Sequence, residues 1–151
     1  MPKFMLDTDV HLFRSVAREL VDTVIKNTSV LFKINLNETK VNIYGEALNK
    51  TCHPGVEVYA LINKDPETTR YEGFGPDTDQ NVVFKLDRWM LQEKNIYPEV
   101  GDIIYFNNSY YEIDNTTEVQ LVGGQPTNNF SVVCQTYMVS KSNLNIEERI
   151  K

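Results

Sequence analysis

Several stretches of the chain alternate apolar and polar side chains with a period of two, and no other feature limits the fold as tightly. Val82, Phe84 and Leu86 form one such row, and Val132, Cys134, Thr136 and Met138 form another within 130–139. A strand points successive side chains to opposite faces, so each row predicts one buried face of a sheet. Val30, Phe32, Ile34 and Leu36 read the same way, with Leu31 the only apolar residue off that face. Val56, Val58, Ala60 and Ile62 alternate with Glu57, Tyr59, Leu61 and Asn63, which predicts a strand covered at least in part on both faces.

The clearest pairing signal is a hairpin. Ile103 to Phe106 and Tyr110 to Ile113 flank Asn107-Asn108, and Asn tolerates the positive φ angles of a tight two-residue turn. A turn at 97–102 feeds it. Asp87 is placed to cap a short helix over 88–94, with Trp89 and Met90 inward. The segment 41–44 reads as extended. The segments 46–54 and 71–77 carry no period and are expected to be a loop and a flexible bend, and Gly123-Gly124-Gln125-Pro126 opens another loop.

One segment has a different period. After the capping oxygens of Asp7-Thr8-Asp9, Leu12, Phe13, Val16, Ala17, Leu20 and Val24 recur at steps of three and four. Arg14, Arg18, Asp22 and Lys26 occupy the other side. The pattern predicts an amphipathic helix over 9–25 that lays its apolar face on the sheet, with Asn27-Thr28-Ser29 as the break. The fold class expected is therefore mainly β: a small antiparallel barrel or sandwich with an N-terminal amphipathic helix and a short helix before the hairpin. A single domain over 1–151 is expected, with the helix at 9–25, the β domain at 28–140 and a polar C-terminal tail at 141–151.

Charge and chemistry exclude several functions. The formal charge of −6 and the lack of a Lys/Arg cluster oppose binding along a phosphate backbone. No apolar run approaches the roughly 20 residues of a membrane-spanning helix. The first residues lack the long apolar stretch and cleavage site of a signal peptide, so the chain is expected to be made and kept in the cytosol. Cys52-His53 stands without the further ligands that a zinc site needs, and His11 sits in the helix as a surface residue. There is no G-x-S-x-G turn and no phosphate-binding glycine loop. Carboxylates such as Glu99 with Asp102 are too ordinary in an acidic chain to mark a glycosidase. No enzyme activity, cofactor or metal is expected. Cys52 and Cys134 read as two reduced, part-buried thiols, with a disulfide between them left open.

What remains is protein contact. Tyr105, Phe106, Tyr110 and Tyr111 alternate across the hairpin, so about half should be core and half outward, where Tyr suits an interface. Leu144, Ile146 and Ile150 are apolar spots in a polar tail, either plain disorder or a strap that docks on a neighbour.

The run Pro98-Glu99-Val100-Gly101-Asp102-Ile103-Ile104-Tyr105-Phe106, followed by Tyr110-Tyr111-Glu112-Ile113-Asp114, resembles the neck proteins of contractile-tailed bacteriophages, also called head-completion or head-closure proteins. Ile43-Tyr44-Gly45-Glu46-Ala47 with Pro54-Gly55-Val56-Glu57-Val58 is similar to the same family. So is the Gly73-Phe74-Gly75 bend before Val82-Val83-Phe84-Lys85-Leu86. These pieces cover about half the chain, and their order and spacing weigh more than any one of them.

The resemblance implies a structural virion protein of the phage neck, assembled in the host bacterial cytoplasm. It implies a homo-oligomeric ring, often hexameric, between the portal-bound adaptor and the tail terminator. Such a ring closes the filled head, docks the tail and encloses DNA without sequence-specific binding. Under it, Cys52, His53, Phe74, Asp77, Tyr110, Leu144 and Ile146 are the candidate inter-subunit contacts. The alternatives are a tail terminator or portal adaptor ring, then a carbohydrate- or receptor-binding β module, then a small enzyme.

Overall fold

A computed structural model describes residues 7–41, 47–72, 75–120, 129–141 and 144–146. The chain opens with α1 (Asp7–Glu19), whose last turn widens into a π-helical turn over Leu20–Ile25. Lys26 closes it in the left-handed region, its N–H donating to the Val21 carbonyl at 3.0 Å. There follow β1 (Thr28–Phe32), β2 (Lys40–Val41), β3 (Ala47–Thr51) and β4 (Val56–Lys64). Next come β5 (Thr68–Glu72), β6 (Gly75–Asp79), β7 (Asn81–Asp87), α2 (Arg88–Glu93), β8 (Ile103–Phe106) and β9 (Ser109–Gln120). The last strands are β10 (Asn129–Val139) and β11 (Leu144–Asn145).

Six strands close into an antiparallel barrel in the order β1-β4-β7-β10-β9-β8, with β8 returning to β1. The mainly β fold expected from the sequence is present, as a barrel rather than a sandwich. Closure removes the open edges at which a flat sheet would recruit other chains. Register shifts in the β9–β10 ladder near Asn129 and Gln135 supply the extra bend a small barrel needs. The alternating rows become its interior: Val58, Ala60, Val82, Phe84, Leu86, Val132 and Cys134 are buried, with Tyr111 and Ile113 from β9. Phe84 packs edge-on against both Phe106 and Tyr111. Each fully buried aliphatic or aromatic side chain here contributes about 1.5–3 kcal/mol relative to exposure.

The local signals hold at the hairpin and the short helix. Asn107 and Asn108 have φ of 49° and 63°, and Tyr105 pairs with Tyr110 across them. The Asp87 carboxylate accepts from the Trp89 and Met90 N–H groups, and Met90 and Leu91 close one end of the core. Burial pushes the Asp87 carboxyl up, against the pull of those two N–H groups.

The β1 expectation needs correction. The strand ends at Phe32, and Leu31, the residue set aside as off-face, is the one inside the barrel, alongside Ser29. Val30, Phe32 and Ile34 point the other way, into a second, smaller apolar cluster, and Leu36 lies exposed beyond the strand. Both faces of β1 are covered, so alternation alone could not say which face was the barrel.

Two segments expected to be irregular are strands. Ala47–Thr51 is β3, paired with β2 on one side and with β11, in parallel, on the other. Thr68–Glu72 and Gly75–Asp79 form a two-stranded arm, with Thr68 opposite Asp79 and Glu72 opposite Gly75. The arm is paired through its backbone ladder, and its sequence carries no alternating apolar row to announce it. The expected loop at 123–126, the extended segment at 42–44, Phe74 and Ile150 lie outside the described residues.

The leading helix is present, starting at Asp7, but its expected orientation is reversed. Val10, Ala17 and Val21 turn toward the barrel together with Arg14, Arg18 and Asp22. Leu12, Phe13, Val16, Leu20 and Val24, the predicted core face, are instead between 46% and 72% exposed.

Candidate interaction surface

The reversed helix is held by polar contacts that a core helix would not need. Arg14 lies over the Trp89 ring at 4.8 Å, and His11 meets the same ring at 5.6 Å between centroids. Arg18 donates to both carboxylate oxygens of Glu93 at 2.7 and 2.6 Å, and to Asp22 at 3.2 Å. A bidentate Arg–carboxylate pair fixes orientation as well as distance. It also holds the Glu93 carboxyl below its ordinary range. The charged side of α1 is thus docked on the body of its own chain, and its apolar side is presented outward.

Behind the helix runs an apolar groove of about 280 Å³. Ala17 and Val21 form one wall. Leu61 on β4, Val119 on β9 and Phe130 on β10 form the other, with Lys85 and Asp87 on β7 at the lining.

A second region gathers four of the seven candidate contact residues. Cys52 is buried against Phe32 and Ile103, and Tyr110, Leu144 and Ile146 pack around them. Leu144 and Asn145 pair with Lys50 and Thr51, so this stretch of the tail lies on its own barrel. His53 is exposed beside the cluster, its backbone N–H donating to the Lys33 carbonyl at 2.8 Å. Lys50 pairs with Glu112 across the cluster's edge. Asp77 stands in the arm, opposite Arg70. Tyr71, on the same arm, is 84% exposed.

The cysteines are both free and buried, so the pairing left open above is not formed. Cys52 belongs to the satellite cluster and Cys134 to the barrel core, with the wall of the barrel between their environments. Burial, with Asp102 adding to it, pushes the Cys52 thiol up to about 11 and the Cys134 thiol up to about 12.

The Pro98–Asp102 turn proves to be a structural joint. Gly101, at φ 94°, donates its N–H to the Ile113 carbonyl at 2.8 Å. The buried Asp102 carboxylate accepts from the Ile34 and Glu99 N–H groups at 3.1 and 2.8 Å and pairs with Lys33 at 2.9 Å. Burial alone would lower the Lys33 ammonium, but Asp102 and Glu99 outweigh it and hold it above the usual lysine range. Among the described residues, no three His, Cys, Asp or Glu side chains gather as a metal site. Nor, among them, is any helix long and apolar enough to cross a membrane.

No family model matches the chain, and no curated protein matches it in sequence. Among solved structures, it is similar to a chain from the virion of a native gene transfer agent particle. The identity is 12%, the TM-score is 0.45, and the match covers 74% of this chain and 93% of that one. So distant a likeness assigns no role.

Sequence reasoning identified the helix and its apolar stripe but not the side on which the stripe would lie. The inward-facing Arg14 and Arg18, opposite Trp89 and Glu93 on α2, are the signal that could have revealed it.

Proposed function

We propose that this chain is a structural virion protein that acts by binding other proteins, as a ring subunit in the neck of a tailed bacteriophage. The observation that carries the protein-binding reading is α1, with its charged side on its own body and its apolar side in solvent. An apolar helix face left in water marks a surface meant for another protein. The neck position rests on the resemblance of Ile43 to Asp114 to head-completion proteins. Its partners are then further copies of itself, the portal-bound adaptor and the tail terminator. The arm bearing Tyr71 and Asp77 is suited to reach an adjoining layer, and the acidic charge of −6 would let duplex DNA pass without sticking.

The test is a pull-down with adaptor and terminator proteins of the same phage, with the products imaged by negative stain. Retention on either, in rings with a central hole, supports the neck reading. Retention on a glycan array with no binding to either protein would replace it with the carbohydrate-binding module.

A further inference from the structure

The geometry points to a heterologous contact between copies of this chain, in which the outward ridge of α1 enters the groove behind α1 of the next copy. The inference rests on the reading that the chain works by assembly, and it names the surfaces that do so.

The two surfaces belong to one molecule and complement each other. The ridge of Leu12, Phe13, Val16, Leu20 and Val24 exposes apolar area on the order of 500 Å², near the top of what a monomer carries in one patch. That is more than half of the roughly 800 Å² each partner contributes to a standard interface. The groove, about 280 Å³ with Leu61, Val119 and Phe130 along its wall, is a receptor for one or two large side chains such as Phe13. Lys85 and Asp87 both line the groove and offset each other in charge, so the pairing rests on apolar fit.

Ridge and groove lie on different sides of the same helix. The contact therefore joins unlike surfaces, which either pair reciprocally about a two-fold axis or pass from copy to copy. Under the ring reading it passes from copy to copy, and a rotation that closes yields a ring.

The experiment mixes two full-length variants, Asp9→Cys and Lys85→Cys, at up to about 1 mM, where even a contact with a Kd of about 1 mM is close to half populated. Asp9 stands one turn before Phe13 and the exposed Lys85 lines the groove, so both thiols flank the contact and leave Phe13 and the groove wall in place. A short bis-maleimide then links neighbouring thiols, with the unsubstituted chain as the background for Cys52 and Cys134. The expected result is a linked dimer in the mixture and little in either variant alone. Adding Val16→Asp to the Asp9→Cys copy should lower the yield of the mixture about tenfold, the ratio expected for losing one buried Val. Val16 is exposed, so the thermal unfolding of that variant should match its parent. Self-linking of Asp9→Cys at the same yield would overturn the inference in favour of ridge on ridge. A chain carrying both cysteines should link into trimers and larger products, and a product that stops at the dimer would overturn the heterologous contact in favour of a reciprocal two-fold pair. No linked product, with the adaptor or terminator still retained in the pull-down, would overturn the self-contact and leave the neck reading standing.

Discussion

Arg18 of the N-terminal helix grips Glu93, at the end of α2, through both carboxylate oxygens, at 2.7 and 2.6 Å. The pair joins residues 75 apart in sequence and turns the charged side of the helix inward. It is exposed, so its effect is to orient the helix more than to stabilise the barrel.

Helix docking should therefore depend on pH. The Glu93 carboxyl is held below its ordinary value near 4.5 by the Arg18 hydrogen bonds. A carboxyl lowered in the folded state contributes stability that is present above the unfolded value and lost as pH falls through the folded one. Amide exchange across 10–25 should accelerate as pH drops below about 4.5, after correction for the intrinsic rate, and by more than at the centre of β7. Glu99 and Glu118, lowered by Lys33 and by Tyr97, carry a similar acid sensitivity into the 97–102 turn and β9. Arg18→Ala should produce the same local acceleration at neutral pH. Uniform acceleration over the whole chain would show that the pair does not anchor the helix alone.

Asp102→Ala should be the most damaging single change in the turn at 97–102. It removes the acceptor for two backbone N–H groups, at Ile34 and Glu99, and the buried partner of Lys33. Breaking such a pair from one side costs about 3 kcal/mol, read as a lower urea midpoint with an unchanged slope. Asp102→Asn keeps an acceptor oxygen and should lose less. Equal loss in the two variants would mean that the charge, not the hydrogen bonding, dominates.

The extent to which the fold is legible in the sequence follows from how many surfaces each element has. β7 and β10 have one fully buried face and one mixed, partly exposed face, and Val82, Phe84, Leu86, Val132 and Cys134 announce both strands and their burial. The Asn107-Asn108 turn is equally plain, because positive φ restricts residue choice. β1 is covered on both sides, so its alternation marks a strand without identifying its barrel side, and Leu31 changes place with Phe32. The arm and β3 carry no alternating apolar row in their sequences. The helix is the most instructive case. Periodicity finds the stripe of Leu12, Val16 and Leu20, but the choice between core and partner depends on Trp89 and Glu93, which only the fold brings near.

Gly55→Ala tests how closely the loop before β4 presses on β1. A Cβ there would meet Val30 Cγ1 at 2.5 Å and Phe32 Cε1 at 2.7 Å. Both belong to side chains held in the satellite cluster, so they cannot move aside without disturbing it. Overpacking of this kind costs about 1–3 kcal/mol in thermal or urea unfolding. A change within about 0.5 kcal/mol would show that Phe32 has room to rotate.

The tail and Cys52 give a last, paired test. Leu144 and Ile146 pack beside the buried Cys52, whereas Cys134 lies inside the barrel and touches neither. With the Cys52 thiol raised to about 11, its thiolate fraction at pH 8 falls on the order of a hundredfold below that of an ordinary thiol. Neither cysteine should react readily with a maleimide in the native protein, and both should react in urea. The double variant Leu144→Ala/Ile146→Ala should destabilise by about 2 kcal/mol, as both side chains are only half-buried. It should also speed labelling of Cys52 at least about tenfold, because local opening of the tail exposes that thiol, while Cys134 stays protected. If both thiols gained reactivity together, the tail would be part of the barrel's global unfolding unit and not a separate cover over the satellite cluster. If neither changed, the tail's apolar residues would be free to serve a neighbouring subunit, as the strap reading of 141–151 requires.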